Sequence, residues 1–193
     1  MEENIKKQDR RVLKSKKAIK KAFMSILATK DINDITIKNI ADVADVDRKT
    51  VYNYYNGTYE ILNEIENEMV ASINEAVKSI NLDGTPNQHF CIFRKISEVL
   101  NANMEFYSVL MKLNYDSQLI KKLISLFSEY AKKLLSQVKL PNGVTVEYAS
   151  IFIASGVLNT YYQWFNSDKS VSLDDLSKQL ATLVVNAIAA YNN

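Results

Sequence analysis

The chain has 193 residues, 47% of them hydrophobic and 24% charged, with a formal net charge of +2; that balance is globular and excludes a disordered chain. Only 4 Gly and 2 Pro leave few helix breakers and little material for a Gly-rich phosphate loop. One Cys and one His exclude an internal disulfide and a His/Cys metal cluster within one chain, so neither metal nor cofactor is expected.

The first residues are polar and basic, without the apolar stretch of a signal peptide. The longest apolar run, 151–158, is interrupted by Ser155 and Gly156 and falls far short of the roughly 20 residues that span a bilayer. A soluble, cytoplasmic, all-α protein with no membrane partner is expected. Apolar residues at Ile19, Ala22, Phe23, Ile26 and Leu27 predict a first helix over about 10–29. After a turn at 31–34, Thr36 reads as the N-cap of a short helix to about Ala44 that buries Ile37, Ile40 and Ala41. Asp45 suits a left-handed turn residue, and Asp47 can cap the next helix, Arg48 to about Tyr55, which Asn56-Gly57 stops. Longer helices follow: about 58–80, 88–101, 103–113, one capped by Asp116 and reaching about 138, then 145–166 and 173–191. Loops fall at 81–88 and 166–172.

Charge is unevenly spread. Residues 1–55 hold 13 Lys/Arg against 8 Asp/Glu, and the remainder holds 11 against 14. Between residues 6 and 21 lie Lys6, Lys7, Arg10, Arg11, Lys14, Lys16, Lys17, Lys20 and Lys21, opposed only by Asp9. A polyanion partner and a plain solvated face both account for this cluster.

Helix, sharp turn and helix across 36–55 have helix-turn-helix dimensions. The second helix carries Arg48, Lys49, Thr50, Tyr52, Asn53 and Tyr54 within seven positions. Arg and Lys reach guanine edges or phosphates, Asn pairs with adenine, and Thr and Tyr hydroxyls hold phosphates. Val51 and Tyr55, four apart, would face inward.

The segment TIKNIADVADVDRKTVYNYYNGTYEIL (36–62), with AIKKAFMSIL at 18–27 before it, resembles the DNA-binding core of the TetR/AcrR family of bacterial transcription regulators. The features that carry the likeness are Thr36, Ile40-Ala41, Ala44, Val46, Thr50, Tyr52 and the pair Tyr54-Tyr55. The resemblance implies an N-terminal helix-turn-helix domain over 1–56 and a helical regulatory and dimerisation domain over 57–193. It further implies phosphate contacts from Thr36, Tyr52 and Tyr54, and base edges facing Arg48, Lys49, Thr50 and Asn53. Three positions depart from the family pattern: Asp45 stands where Gly is usual, Asp47 where Ser or Thr commonly caps, and Thr58 where a phosphate-binding Lys is often found.

The resemblance also implies a homodimer that binds an inverted-repeat, double-stranded operator, most simply as a repressor; activation under a protein partner is the alternative. Gly156 lies within a helix, where close packing explains it best. With the family's pairing of its last two helices, this places a dimer seam at Ile153, Gly156, Val157, Thr160, Leu183, Val184 and Ala187. In the family the middle of the chain often encloses a small-molecule pocket, so the resemblance implies a site for a small apolar effector in this aromatic-rich region, walled by Tyr107, Phe127, Tyr130 and Trp164. Aromatics at helical spacing also simply fill cores. A helical enzyme or ligand carrier is the rival from another class, and it lacks a nucleophile–base–orienter set. A helical interaction protein with a vestigial DNA head is another.

Overall fold

Helix punctuation explains the architecture of the computed structural model, which describes residues 2–80, 86–113, 117–140 and 142–189, with side chains over 10–80, 90–113, 117–140 and 142–187. Among the described residues all regular structure is helical: α1 Glu2–Leu27, a 3-10 turn Ile32–Asp34, α2 Ile37–Ala44, α3 Arg48–Tyr52, α4 Thr58–Lys78, α5 Pro86–Ala102, α6 Met104–Met111, α7 Gln118–Leu135, α8 Val146–Phe165 and α9 Leu173–Ala189. The chain forms two compact units, Met1–Asn67 and Glu68–Asn193, and α4 contributes to each.

In the first unit, α1 packs on α2 and α2 on α3. Their shared core is Ile19, Phe23, Ile35, Ile40, Val51, Tyr55, Ile61 and Ile65, all nearly inaccessible. Helix α1 begins well before the expected residue 10, because nothing between 2 and 18 breaks it. Across the unit, Lys16 and Lys20 both reach Glu64 on α4, at 2.7 and 3.2 Å. Partial burial pushes the Glu64 carboxyl upward, but the hydrogen bonds and charges of the two lysines outweigh it and hold the group below its ordinary value.

In the second unit the strongest pairings are α7 with α8 and α5 with α9. Ile73, Val77, Ile96, Leu110, Leu119, Leu123, Leu158, Phe165 and Leu180 fill its interior. Pro86 opens α5 rather than ending the preceding loop; a first helical position does not need the N–H that proline lacks. Ser117 caps α7, its hydroxyl accepting from the Ile120 amide; Asp116, expected in that role, lies outside the described residues. Thr145 caps α8 by accepting from Tyr148 N.

Candidate functional site

The turn between α2 and α3 is built by local rules. The Thr36 hydroxyl accepts from the Asn39 amide, and the Asn39 side chain accepts in return from the Thr36 backbone, closing a capping box. Asp45 then takes the left-handed conformation, φ 53 and ψ 51, and its N–H donates to Ala41 O. Asp tolerates this region better than most non-glycine residues, so the usual Gly is dispensable here. Asp47 occupies the next cap position in extended backbone but its side chain makes no capping bond, against expectation. Its carbonyl instead accepts from Thr50 N at 2.8 Å.

This turn fixes what α3 hides and shows. Val51 and Tyr55 are buried, and Lys16 Nζ lies 5.2 Å from the centre of the Tyr55 ring. On the other side Arg48, Lys49 and Asn53 are exposed, Tyr52 is 58% exposed, and Thr50 and Tyr54 are half-buried. Among the described residues neither Arg48 nor Lys49 has an ion-pair partner. Five of the predicted residues therefore lie on α3 or its C-cap, with Tyr54 immediately after them. Thr36 sits apart, at the start of α2. It is exposed, but its one hydroxyl proton is given to Asn39 Oδ1 at 2.7 Å, so a phosphate would have to compete for it. Two polar links are not among the sequence-based expectations. Tyr59 donates to Asn33 at 2.8 Å, and Glu60 accepts from the Asn56 amide and side chain at 2.6 and 3.0 Å. The second has a sequence signal, Asn and Glu four apart at a helix start.

In the second unit Phe127 and Tyr130 line an apolar cavity of about 50 Å³ with Val77, Ile92, Phe93 and Val157 among its other walls. The Tyr130 hydroxyl donates to Asn74 Oδ1 at 2.9 Å, and burial pushes its pKa up. Tyr107 and Trp164 do not line this cavity. Tyr107 is buried with its hydroxyl bonded to Ser72. The Trp164 indole donates to Val171 O at 2.7 Å, pinning the 166–172 loop on which Lys169 lies 5.4 Å from the ring. Both are committed to the core.

The α8 surface differs from expectation in detail. Gly156 is exposed, and a side chain built on it would meet nothing within 4 Å in its own chain; close packing within the chain is not its reason. Leu183 and Ala187 are exposed, and Ile153, Thr160 and Val184 half-buried. Val157, expected on the same seam, is buried and faces the cavity, because α8 turns that side toward α7. The most exposed apolar side chains of α8 are not among the expected seam residues: Phe152 at 80%, Tyr148 at 76%, and Ile151 beside them. Tyr148, Phe152 and Gly156 follow one another at steps of four, so they share a face.

Likeness to known proteins agrees with this geometry. Residues 87–186, more than half of the chain, match the family described as the transcriptional regulator C-terminal region of the TetR group. The HTH-type transcriptional regulator YxbF of Bacillus subtilis is 21% identical over 173 residues, covering 86% of this chain; the chain spans only 43% of that relative's length. Among solved structures, NalD of Pseudomonas aeruginosa, described as the secondary repressor of the MexAB-OprM multidrug efflux pump, superposes with a TM-score of 0.73 at 16% identity, over 94% of this chain and 98% of its own. The fatty acid degradation regulator FadR of Bacillus halodurans gives 0.69 at 18%, over 90% and 96%. A TetR transcriptional regulator of Streptococcus agalactiae gives 0.69 at 22%, over 92% and 97%. With a helix-turn-helix at one end and a helical body at the other, the chain belongs to the TetR family of transcriptional regulators.

Proposed function

We propose that the protein is a homodimeric repressor that binds an inverted-repeat operator through α3 and releases it on binding a small, mostly apolar ligand. Residues 1–56 act as the DNA-binding domain and 57–193 as the regulatory and dimerisation domain. The observation that carries this reading is the division of α3: Val51 and Tyr55 anchor it, while Arg48, Lys49, Tyr52 and Asn53 stand free on the outside. In this assignment Arg48, Lys49, Thr50 and Asn53 read base edges, and Tyr52 and Tyr54 position phosphates. Thr36 serves first as a helix cap.

Dimerisation supplies the second head. The apolar strip of Tyr148, Phe152 and Gly156 on α8, with Leu183 and Ala187 on α9, is the proposed seam. Exposed aromatic residues gathered on one helix face are unfavourable in water, and a twofold partner removes them from it. Twofold symmetry then demands two half-sites about 34–36 Å apart.

The cavity at Phe127 and Tyr130 is the proposed entry for the ligand. Ligand sites hold about 300–1,000 Å³, so a cavity of about 50 Å³ has to widen on binding. Its walls come from α4, α5, α7, α8 and α9. Widening would shift the second half of α4, the helix that continues from the first unit, and a differential affinity of about 1–3 kcal/mol is enough for a useful switch.

Selection of binding sites from random duplex DNA tests the reading. The expected product is an inverted repeat bound with steep salt dependence, losing roughly 10³–10⁵ in affinity between about 50 and 200 mM for 6–10 phosphate contacts. Equal affinity for scrambled sites would overturn it. Activation is the second reading: a solved structure covering 93% of this chain at a TM-score of 0.62 is DhaS, described as a dihydroxyacetone kinase operon activator. Placement of the selected site decides the sign, upstream of a promoter for activation and across it for repression.

A further inference from the structure

Helix α1 has two basic faces with different fates. Lys16 and Lys20 turn inward to Glu64. Arg10, Lys14, Lys17 and Lys21 follow one another at steps of four, three and four, and all are exposed. A period of 3.6 places these four on one face. The opposite face carries Ile19, Phe23 and Ile26, buried in the unit's core. Among the described residues none of the four has an ion-pair partner, and no Asp or Glu occurs anywhere from residue 10 to residue 30. Elsewhere some surface lysines are neutralised locally: Lys78, Lys95, Lys132 and Lys178 each hold an acid three residues away. The stripe on α1 lacks such partners because the segment contains no acid to supply them.

We infer that this stripe is a second DNA-contacting surface, separate from α3, which binds backbone phosphates without reading sequence. The inference rests on the DNA-binding reading above. Eleven residues at 1.5 Å span about 16 Å from Arg10 to Lys21. The duplex carries one phosphate charge per about 1.7 Å of its axis over both strands, so a stripe of this length lies within reach of several phosphates. An anionic membrane is the other extended polyanion. A helix that lies on a membrane needs an exposed apolar face to insert, and the apolar face of α1 is consumed by its own core. A charged surface whose one large exposed apolar side chain among the described residues of α1 is Leu13 suits phosphates that are not backed by lipid.

The test compares the wild type with a variant carrying Arg10→Gln, Lys14→Gln, Lys17→Gln and Lys21→Gln. Glutamine keeps helix propensity, and circular dichroism checks that the fold is retained. A control of equal charge change carries Lys112→Gln, Lys121→Gln, Lys139→Gln and Lys178→Gln in the second unit. The probes are a mixed-sequence duplex of about four helical turns, the same duplex containing the selected site, and vesicles with and without anionic lipid. The stripe variant should lose affinity for both duplexes equally. Its slope of log affinity against log salt should become shallower by about 0.9 for each phosphate no longer neutralised, while the control stays near wild type. The double variant Arg10→Gln, Lys14→Gln should show about half of that change. A stripe variant with wild-type affinity and slope overturns the inference, as does one that loses only vesicle binding. The two readings fail differently. If the wild type binds every duplex alike and the stripe variant still loses that binding, the operator reading falls and the stripe stands.

Discussion

The two units use their exposed surface in opposite ways. In the first, the exposed large apolar side chains are scattered, Leu13 on α1, Val43 on α2, Tyr52 on α3 and Tyr59 on α4, and the continuous feature is positive charge. In the second, several charged residues pair along their own helices, and the continuous feature is the apolar strip of Tyr148, Ile151 and Phe152. Scattered apolar residues are normal on any surface; a contiguous strip is not. Unpaired cations attract a polyanion over a Debye length, about 8–10 Å at ordinary salt, whereas an apolar strip acts only at contact. The contrast supports the proposed roles, a nucleic acid for the first unit and another protein surface for the second, and each proposal can be broken separately.

The largest effect is expected at the apolar strip. Phe152→Asp places a charge at the centre of the proposed seam. Self-association should weaken by at least about 2 kcal/mol, the threshold for a dominant interface residue, and the protein should run as a folded monomer in light scattering at micromolar concentration. Operator affinity should fall with it, since one head alone grips only one half-site. Gly156→Leu should act in the same direction, because a helix crossing close enough to require glycine cannot take the added side chain. A dimeric Phe152→Asp variant would remove α8 from the seam.

Next in size are the proposed base-reading positions. Arg48→Ala and Asn53→Ala should each relax preference at particular operator positions by about 1–3 kcal/mol where a bidentate pairing to a base is removed. Tyr52→Phe should weaken all operator variants about equally, as expected when a hydroxyl no longer holds a phosphate. Binding measured on a panel of single-base operator variants separates the two patterns. None of these side chains belongs to the buried core, so melting temperature should stay within the small range of surface substitutions.

How much of this is legible in the sequence depends on the range of the interaction. The Thr36 cap, the left-handed Asp45 and the inward pair Val51 and Tyr55 follow from rules acting over four residues or fewer, and sequence alone reaches that far. The Asp47 side-chain bond does not form although the residue type and backbone both suit it; the Thr50 amide, a usual target of such a cap, donates to the Asp47 carbonyl. Glu64 with Lys16 and Lys20 spans 44–48 positions, and nothing in local pattern announces it. The side of α8 left outside is equally illegible, and Val157 falls on the other one. Helix α8 reads VEYASIFIASGVLNTYYQWF, apolar nearly all round, so periodicity cannot tell the face that meets α7 from the exposed one. Aromatic content in the same way cannot separate Phe127, at the cavity, from Trp164, whose indole is committed to Val171.

The Glu64 clamp sharpens the account of the first unit. Its folded pKa lies below the ordinary value, so its contribution to stability is fully present above the unfolded value of about 4.3 and is lost as pH falls through the lower folded value. Glu64→Gln should cost about 0.2–1 kcal/mol for each of the two pairs at neutral pH, the range for partly exposed ion pairs. It should also flatten the acid side of the stability profile of the first unit. Thermal melts across the acid range read both. A variant that keeps the wild-type acid slope would show that other carboxylates carry it.

The smallest effect has two signs. Asp47 stands at the N-terminus of α3, where a negative charge favours the helix by about 0.3–1 kcal/mol through the dipole even without a capping bond. The same charge lies beside Arg48 and Lys49, proposed to face DNA, and would oppose phosphate approach. Asp47→Asn keeps the size and removes the charge. Stability should therefore fall slightly, by no more than the dipole contribution, because the wild-type side chain holds no cap hydrogen bond to lose. Affinity for DNA should rise, by less than about 1 kcal/mol, the scale of two unit charges about 4 Å apart in water, and the gain should shrink as salt is added. Opposite movements of melting temperature and affinity would identify Asp47 as a residue that favours the fold of the recognition helix over binding. A fall in both would mean that Asp47 holds α3 in its DNA-reading orientation, and its charge would then be secondary to its geometry.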